Sequence, residues 1–417
     1  MTRPAVALVG TLDTKGAEYQ WVARLLREHG IDVLVVDAGV RPAAGFTDPM
    51  AVGQEEVARA AGTTTNALRD GNDRGMAVAA MGEGVATVLN DLAAEGKLNG
   101  VLALGGSGGS SIAARAVHDL PIGLPKLIVS TMASGDVSPY VGAADVTMMY
   151  SVVDVSGINQ VSRAVLGNAA AAIAGMATAH LARADAPAGT EDRPLIAASM
   201  FGVTTPAVDA GRARLEELGY EVLVFHATGS GGRALEALAR SGMLAGVLDL
   251  TTTELADDLV GGVLSAGPDR LTAAGAAGVP QVVSLGALDM VNFGPQDTVP
   301  ASFAGRTFFV HNPTVTLMRT TENENAELGR RLGGKLAAAT GPTVLVVPRA
   351  GVSALDAEGA AFHDPAADAA LFDAALAAVR GSAAAVIDSD RHINDPELAV
   401  EAADRLHALI TQTRTRS

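Results

Sequence analysis

The sequence contains no cysteine among its 417 residues. Disulfides, zinc–thiolate sites, iron–sulfur clusters and cysteine nucleophiles are therefore excluded together. Aromatic residues make up only 3% of the chain and include a single tryptophan, so platforms for stacking bases or sugars are scarce. The sequence also lacks a G-x-S-x-G elbow, which gives no support for a serine-hydrolase triad.

The chain has fewer basic than acidic residues. The chain has 30 Lys and Arg against 46 Asp and Glu, a formal net charge of −16 at pH 7. A nucleic-acid-binding groove needs a basic face to neutralise phosphates, so we expect no nucleic-acid partner. The acidic balance does not exclude a local pocket for a small anion.

No apolar run is long enough to span a bilayer. The most apolar stretch, Ala169–Ala182, is short and is interrupted by Gly175, Thr178 and His180. The first residues, MTRPAVALVG, lack the basic start and apolar core of a signal peptide. We therefore expect a soluble, cytoplasmic protein with no membrane partner, and a buried helix over the apolar stretch.

Short apolar runs alternate with amphipathic segments along the first half of the chain. Such runs on both sides of helices are typical of a parallel sheet that is buried on two faces. The pattern predicts a doubly wound α/β fold. The predicted strands are Val6–Val9, Ile31–Val36, Val101–Leu104 and Lys126–Ser130, and the predicted helices are Glu18–His29, Gly84–Glu95 and Ser110–His118.

The pattern of alternating strands and helices occurs twice along the chain. "LLREHGIDVLVVDAG" is echoed by "RLEELGYEVLVFHATG", "KLNGVLALGGSGG" by "MLAGVLDLTTTEL", and "LPKLIVSTMASGD" by "VPQVVSLGALDMVNFG". We predict two Rossmann-like lobes with mainly parallel sheets, related by internal duplication, at residues 1–185 and 192–417. Ala182–Pro194 is rich in Pro, Gly and charge and is expected to link them, while strands Thr343–Val347 and Ala384–Ile387 extend the second lobe. Generic α/β periodicity that mimics a repeat is the alternative.

A glycine-rich loop follows the third predicted strand and precedes a helix. Closely spaced glycines allow close approach of a ligand, and the N–H groups at a helix start favour an anion. The loop matches neither a dinucleotide fingerprint nor a P-loop, and a tight turn for helix–sheet packing is the alternative. The candidate ligand-binding residues are Gly105, Gly106, Ser107, Gly108, Gly109 and Ser110.

Two further loops follow strands and are expected at the same edge of the sheet. In the first, Lys15 can pair with a phosphate, and Asp13 can accept from a ribose or reach a bound Mg²⁺ through water; helix capping is the alternative. In the second, Asp136 has a counterpart in Asp289, which fits either a shared site or a shared turn. The candidate ligand-binding residues of the two loops are Gly10, Thr11, Asp13, Thr14, Lys15, Thr131, Ser134 and Asp136.

Other segments carry weaker signals. Gly71–Gly75 is a candidate lid within an insertion of the first lobe, and Arg349–Asp356 and Asp388–Asp395 are candidate walls of a cleft between the lobes. Thr321 and Glu324 form a capping box that opens a helix. No two histidines have metal-ligand spacing, so a metal site is not assigned.

Several blocks together resemble one family. They are "ALVGTLDTKGAEY", "LALGGSGGSS", "STMASGD", "VGAADVTMMYSVVDVSGINQVSRAVLGNAAAAIAGM", "PRAGVSALDAEGAAFHDPAADAALF" and "HINDPELA". They are similar to the N-terminal ATP-binding domain of the tomato protein that inhibits tobamovirus RNA replication, and to its uncharacterised bacterial homologues. The resemblance covers nearly the whole chain. It implies a two-lobed α/β structure, ATP binding and a homodimer or higher homo-oligomer, without the additional C-terminal domain of the plant protein.

The residues and the resemblance together predict a nucleotide-binding protein. ATP phosphates are expected at the glycine-rich loop and Lys15 in an interlobe cleft, with Mg²⁺ near Asp13 or Asp136 as an optional partner. Neither a reaction nor catalytic residues are assigned. Two alternatives stay open: a hydrolase- or lyase-like enzyme for a small carboxylate or phosphorylated metabolite, with Asp136, Ser353 or His392 in acid–base roles, and a non-catalytic nucleotide sensor.

Overall fold

The computed structural model of the chain describes residues 3–184 and 193–415. The chain consists of two compact units, Met1–Gly189 and Thr190–Ser417. Most of the expected linker at Ala182–Pro194 lies outside the described residues. Each unit is described below by itself.

The first unit is built on five parallel strands, in the order β2-β1-β3-β4-β5. The strands are β1 (Ala5–Gly10), β2 (Asp32–Asp37), β3 (Gly100–Gly105), β4 (Lys126–Ser130) and β5 (Val146–Tyr150). The helices are α1 (Leu12–Glu28), α2 (Gln54–Ala60), α3 (Thr65–Asp70), α4 (Arg74–Ala94), α5 (Ser107–Val117), α6 (Ser138–Val141) and α7 (Gln160–Ala184).

The sheet of the first unit is buried on both faces. One core packs α1 and α7 against side chains such as Leu8 and Leu102. The other packs α4 and α5 against alternate residues such as Val9 and Val101. Because both faces are covered, the central strands are apolar along their whole length, which is the pattern that the sequence shows.

The second unit contains a six-stranded sheet and a separate three-stranded sheet. Its strands are β6 (Leu195–Met200), β7 (Glu221–His226), β8 (Leu244–Asp249), β9 (Gln281–Ser284), β10 (Met290–Phe293), β11 (Phe308–Asn312), β12 (Val315–Arg319), β13 (Thr343–Pro348) and β14 (Ala385–Ser389). Its helices are α8 (Thr205–Glu217), α9 (Ser230–Arg240), α10 (Glu254–Val260), α11 (Ala273–Ala276), α12 (Glu322–Ala337), α13 (Pro365–Val379) and α14 (Pro396–Arg414).

The two large sheets share one topology. The second has the order β7-β6-β8-β9-β13-β14, and all its pairs are parallel. Its first four strands repeat the order β2-β1-β3-β4 of the first unit. The predicted α/β fold with two Rossmann-like, mainly parallel lobes is confirmed.

The small antiparallel sheet, β10-β12-β11, was not predicted. In the repeated pattern "LPKLIVSTMASGD" is aligned with "VPQVVSLGALDMVNFG". No second strand is expected at the end of either block. In the second unit Met290–Phe293 instead pairs with β12, and the side chains of Val291 and Phe293 join the core. Met290–Phe293 contains Asn292 and is only four residues long, too short for its hydrophobic pattern to identify it as a strand.

All three predicted helices of the first unit begin earlier than predicted. α1 begins at Leu12 rather than Glu18, α4 at Arg74 rather than Gly84, and α5 at Ser107 rather than Ser110. The residues before them, Thr11, Asp73 and Gly106, are extended. Small and hydroxyl residues in a first helical turn resemble a loop in sequence, because packing rather than propensity makes them helical. The capping box of Thr321 and Glu324 is confirmed at the start of α12.

The expectation that no apolar run is long enough to span a bilayer is wrong by length and composition. Within the described residues one helix, α7, is long and apolar enough, and 33% of its most apolar window is buried. Leu166, Ile173 and Ala177 on this helix belong to the core beneath the first sheet, so one face of α7 packs in the core of the α/β unit.

Candidate functional site

The first sheet has one topological switch point. β1 lies between β2 and β3, so the chain leaves β1 toward one side and later returns on the other. In open α/β sheets ligands bind outside the carboxyl ends of the strands at such a point. A cavity of about 420 Å³ opens there, with walls from the first turns of α1 and α5, residues 38–40 after β2, one face of α4, and Asp154.

Tyr19 closes the floor between the two strands. Its hydroxyl lies 2.7 Å from the carbonyl oxygens of Val9 and Leu104 and accepts the Leu104 N–H at 2.9 Å. A Cβ on Gly10 would lie 1.9 Å from the tyrosine ring, so only glycine fits there. Burial raises the pKa of Tyr19, and this side chain holds the strand ends together rather than serving as a base.

The glycine-rich turn lies at the mouth of the cavity. Gly106, Ser107, Gly108 and Gly109 all line it, and the latter three form the first turn of α5. Gly105 packs on Gly109, where a Cβ would come within 3.1 Å of the Gly109 Cα. Within the described chain no side chain accepts from the N–H groups of this turn. Free N–H groups at the positive end of a helix suit an anion.

The first turn of α1 forms a second wall. Thr11, Asp13, Thr14 and Lys15 line the cavity. The two threonine hydroxyls lie 2.9 Å apart, and Asp13 accepts the Arg41 N–H at 3.2 Å. The Lys15 ammonium donates to the carbonyl of Val155. These groups are restrained but still face the cavity.

Asp37 positions this wall from below. Its Oδ1 accepts the Leu12 N–H at 3.1 Å and the Gly39 N–H at 2.8 Å, which ties the start of α1 to the end of β2. Burial raises the pKa of Asp37. Sequence reasoning missed this residue, although an aspartate at the end of the second strand of such a fold is a recognisable signal.

Arg74 and Asp154 also line the cavity and were missed. Arg74 is the first residue of α4, and a Cβ on Gly108 would lie 3.4 Å from its Nη2. In residues 3–184 and 193–415 the Arg74 side chain has no hydrogen bond or ion pair, so its charge is available to a ligand. The candidate lid Gly71–Gly75 contains this arginine; its other residues are the link between α3 and α4 and the start of α4.

Six of the predicted ligand-binding residues lie outside the cavity lining. Ser110 is buried with its hydroxyl 2.6 Å from that of Ser130. Asp136 accepts from the N–H and hydroxyl of Ser138, which lowers its pKa. The third loop is thus a short 3₁₀ turn followed by a local turn that Asp136 closes on Ser138, whereas its counterpart Asp289 is buried and accepts from Ser353. The six residues are Gly10, Gly105, Ser110, Thr131, Ser134 and Asp136.

The second unit repeats the sequence Gly-Ser-Gly-Gly at another helix start. Residues 106–109 and 229–232 are identical, and the second copy precedes and opens α9. There the carboxylate of Glu254 accepts the N–H groups of Gly229 at 2.7 Å and Gly232 at 3.0 Å. A Cβ on Gly232 would lie 2.1 Å from this carboxylate. This helix start binds an anion that the chain itself supplies.

The switch point of the second sheet, between β6 and β8, is filled by buried charges. Arg270, which has no exposed surface, bonds both oxygens of Asp249 at 2.5 and 2.8 Å, Glu254 at 2.6 Å and Glu236 at 3.3 Å. Ser199 at the end of β6 donates to Asp249 at 2.5 Å. We call these five side chains the Arg270 network, and they close the position that is open in the first unit.

A second cavity, of about 360 Å³, lies after β13 and beside the start of α13. The buried carboxyls of Asp356 and Asp368 line it, and Arg319 bonds them at 3.3 and 2.6 Å. Burial, and then the charge of Asp289, raises the pKa of Asp356. His363 and Arg349 line the same cavity.

In the described ranges there is no group of three or more His, Cys, Asp or Glu side chains that could hold a metal ion. Asp13 and Asp154 are the two carboxylates that line the first cavity. Nucleotide-bound Mg²⁺ is commonly held by one or two carboxylates together with the phosphates. The residues present fit that arrangement.

Comparison with known proteins places both units in one family. The profile described as "Uncharacterised protein family (UPF0261) N-terminal domain" matches residues 4–182, and its C-terminal counterpart matches residues 193–410. A UPF0261 protein of Clostridium tetani is 48% identical over 401 residues, which are 96% of this chain and 98% of that protein. The resemblance stated from the sequence is confirmed.

The tomato relatives are longer. The ToMV susceptible protein tm-1(GCR26) of Solanum lycopersicum is 41% identical over 418 residues, which are 96% of this chain but 55% of that protein. Among solved structures, a putative UDP-N-acetylglucosamine 2-epimerase from Listeria monocytogenes is 12% identical, with 68% of this chain and 79% of that one covered and a TM-score of 0.24. A similarity that weak carries no argument about ligand or reaction.

Proposed function

This chain belongs to the UPF0261 family, and we propose that its first unit binds ATP in the cavity at the switch point between β1 and β3. One observation carries the proposal: the Gly-Ser-Gly-Gly turn that binds a carboxylate of the chain at α9 opens onto a cavity at α5. The choice of ATP as ligand is supported by the ATP binding that the resemblance to the N-terminal domain of the tomato protein implies.

The phosphates are assigned to the glycine turn of α5. Backbone N–H groups carry no formal charge, so an acidic protein can bind a triphosphate there without a basic surface. Arg74 on one side and Lys15 on the other supply two cations, and charge-assisted hydrogen bonds to phosphate are stronger than neutral ones. Release of Lys15 from the Val155 carbonyl accompanies binding in this proposal.

The sugar is assigned to the first turn of α1. Asp13 and the hydroxyls of Thr11 and Thr14 offer acceptors and donors of the kind that ribose hydroxyls use. Mg²⁺, when it accompanies the nucleotide, is assigned to Asp13 and Asp154, where it would neutralise phosphate charge.

Isothermal titration with ATP, with and without Mg²⁺, tests the assignment. We expect one site per chain, with affinity about tenfold lower in Arg74→Ala because one charge-assisted contact is lost. Arg59→Ala is the matched control, since Arg59 is an exposed arginine of the same insertion that does not line the cavity. Equal affinity in the wild type and both variants would overturn the site.

A second candidate function follows from the cavity beside Asp356. Burial and the charge of Asp289 raise the pKa of Asp356, and a buried carboxyl with a raised pKa at the wall of a cavity is suited to general acid chemistry on a small metabolite. Native mass spectrometry of freshly purified protein distinguishes the two candidate functions. A bound nucleotide that is lost in Arg74→Ala favours the first candidate, and a bound metabolite that is lost only in Asp356→Ala favours the second.

The proposal also covers the oligomeric state of the protein and whether bound ATP is hydrolysed. We propose a cytoplasmic homodimer, as the resemblance implies, and the native mass spectrum reports subunit number alongside ligand. Phosphate release from ATP at saturating nucleotide then distinguishes an ATPase from a nucleotide sensor.

A further inference from the structure

One face of α4 lines the first cavity. Arg74, Ala77, Val78 and Met81 all line it, and their spacing of three, four and seven residues places them on one side of the helix. A Cβ on Gly108 would lie 3.4 Å from the Arg74 Nη2 and 3.8 Å from the Val78 Cγ2, so the charged and the apolar side chains both begin beside the glycine turn. The cavity therefore has an anionic-ligand end and, starting beside it at Val78, an apolar end.

The apolar end is completed from the opposite wall. Val40 after β2 and Ile112 on α5 line the cavity, and Met81 and Ile112 are almost fully buried. We call Val40, Ala77, Val78, Met81 and Ile112 the apolar subsite. All five side chains are aliphatic or thioether groups without a strong hydrogen-bonding group. Because Met81 and Ile112 are almost fully buried, the surface on which a ligand can pack comes mainly from the half-buried Val40, Ala77 and Val78.

The backbone beside the apolar subsite is largely engaged. The Ala38 N–H donates to Gly10 at 2.8 Å, and the Gly39 N–H donates to Asp37 at 2.8 Å. The Val40 carbonyl accepts from Arg69 at 2.7 Å, and the Arg41 N–H donates to Asp13. These bonds engage the N–H groups of Ala38, Gly39 and Arg41, which are then not available to the edge of a base.

We infer that the apolar subsite takes the base of the bound nucleotide and that the first unit accepts adenine and guanine nucleotides alike. The inference rests on the proposed function and adds the substrate class: purine nucleoside phosphates, held by phosphate contacts and by apolar burial of the base. An apolar pocket discriminates poorly between ligands of similar shape, whereas a hydrogen-bonding site discriminates strongly.

Competition titration with ATP, GTP and inorganic tripolyphosphate tests this directly. ATP and GTP are expected to bind within about fivefold of each other, since no base-edge contact favours either. Tripolyphosphate is expected to bind at least about tenfold more weakly than ATP, since it buries no apolar surface.

A pair of variants on α4 sharpens the test. Val78→Ala is expected to weaken ATP and GTP by the same factor, about fivefold, and to leave tripolyphosphate unchanged. Val88→Ala is the matched control, a partly buried valine of the same helix outside the cavity lining, and should alter none of the three.

Each other outcome overturns a defined statement. If none of the three ligands binds, the proposed function itself fails. If ATP binds but its affinity differs from that of GTP by more than about fivefold, the inference fails while the proposed function stands. Tripolyphosphate that binds as tightly as ATP contradicts a base in the apolar subsite.

Discussion

The two Gly-Ser-Gly-Gly helix starts are identical in sequence and opposite in use. At α9 the carboxylate of Glu254 accepts two of the N–H groups and is held in turn by Arg270. At α5 the same tetrapeptide faces a cavity of about 420 Å³ with Arg74 beside it. The chain thus contains one filled and one open version of an anion-binding helix start.

The switch points of the two sheets show the same difference: the one in the second unit is filled by side chains of the chain, and the one in the first unit is open. Between β6 and β8 the Arg270 network occupies the crevice with buried charges. At the carboxyl ends of β1 and β3 the Tyr19 hydroxyl lies between the carbonyl oxygens of Val9 and Leu104, and a cavity of about 420 Å³ opens beside these strand ends.

The largest expected effect comes from breaking the filled site. Arg270→Met leaves Asp249, Glu254 and Glu236 buried without their shared cation, so the free energy of unfolding of the second unit should fall by about 3–5 kcal/mol. Urea unfolding followed by circular dichroism measures this. The single tryptophan, Trp21, lies in α1, and its fluorescence reports the first unit separately.

The control for this variant is an arginine that is already exposed. Arg330→Ala removes an ion pair with Glu327 on the surface of α12, and no measurable change is expected because such pairs contribute little. An Arg270→Met protein as stable as the wild type would show that the network does not stabilise the second unit.

Matched glycine substitutions should have opposite effects on stability. Gly232→Ala places a Cβ 2.1 Å from the Glu254 carboxylate, and overpacking of this kind typically costs about 1–3 kcal/mol. Gly108→Ala meets nothing closer than the end of Arg74, at 3.4 Å, so helix propensity should leave stability unchanged or raise it by up to about 1 kcal/mol. Thermal unfolding of both variants tests this prediction. An equal loss of stability in the two variants would show that the two turns do not differ in packing.

A smaller effect concerns pH and the buried carboxyls of the second unit. Burial raises the pKa of Asp356 above its ordinary value of 3.8, so from that pH upward the native state retains a proton that the unfolded chain has lost. Stability from this group therefore falls as pH rises toward and through neutrality. Asp356→Asn, which stays neutral, should flatten the decline between about pH 5 and pH 8. An unchanged slope would mean that Asp356 ionises normally.

Much of the fold could be predicted from the sequence. Buried parallel strands are apolar along their length, so β1, β3 and β4 stand out, and the repeated blocks indicate a second sheet of the same order. The antiparallel β10 and β12 could not be found in this way, because four- or five-residue apolar runs pair through contacts that are distant in sequence.

The candidate site was predictable only in part. Gly106–Gly109 and Asp13–Lys15 follow strands directly, so topology alone places them at one edge of the sheet. Arg74 comes from an insertion that has no counterpart in the repeat, and only the packing of α4 on α5 brings it to Gly108. The third loop has the same composition as the other two, but its polar groups are used locally, as the Asp136–Ser138 cap illustrates.

Hydrogen–deuterium exchange with and without ATP compares the two helix starts in one measurement. The account predicts that ATP slows exchange at residues 106–112 and 11–16 and at the start of α4, while residues 229–235 and 249–257 stay unchanged. Protection confined to the second unit, or no protection at residues 106–112 at saturating ATP, would contradict it.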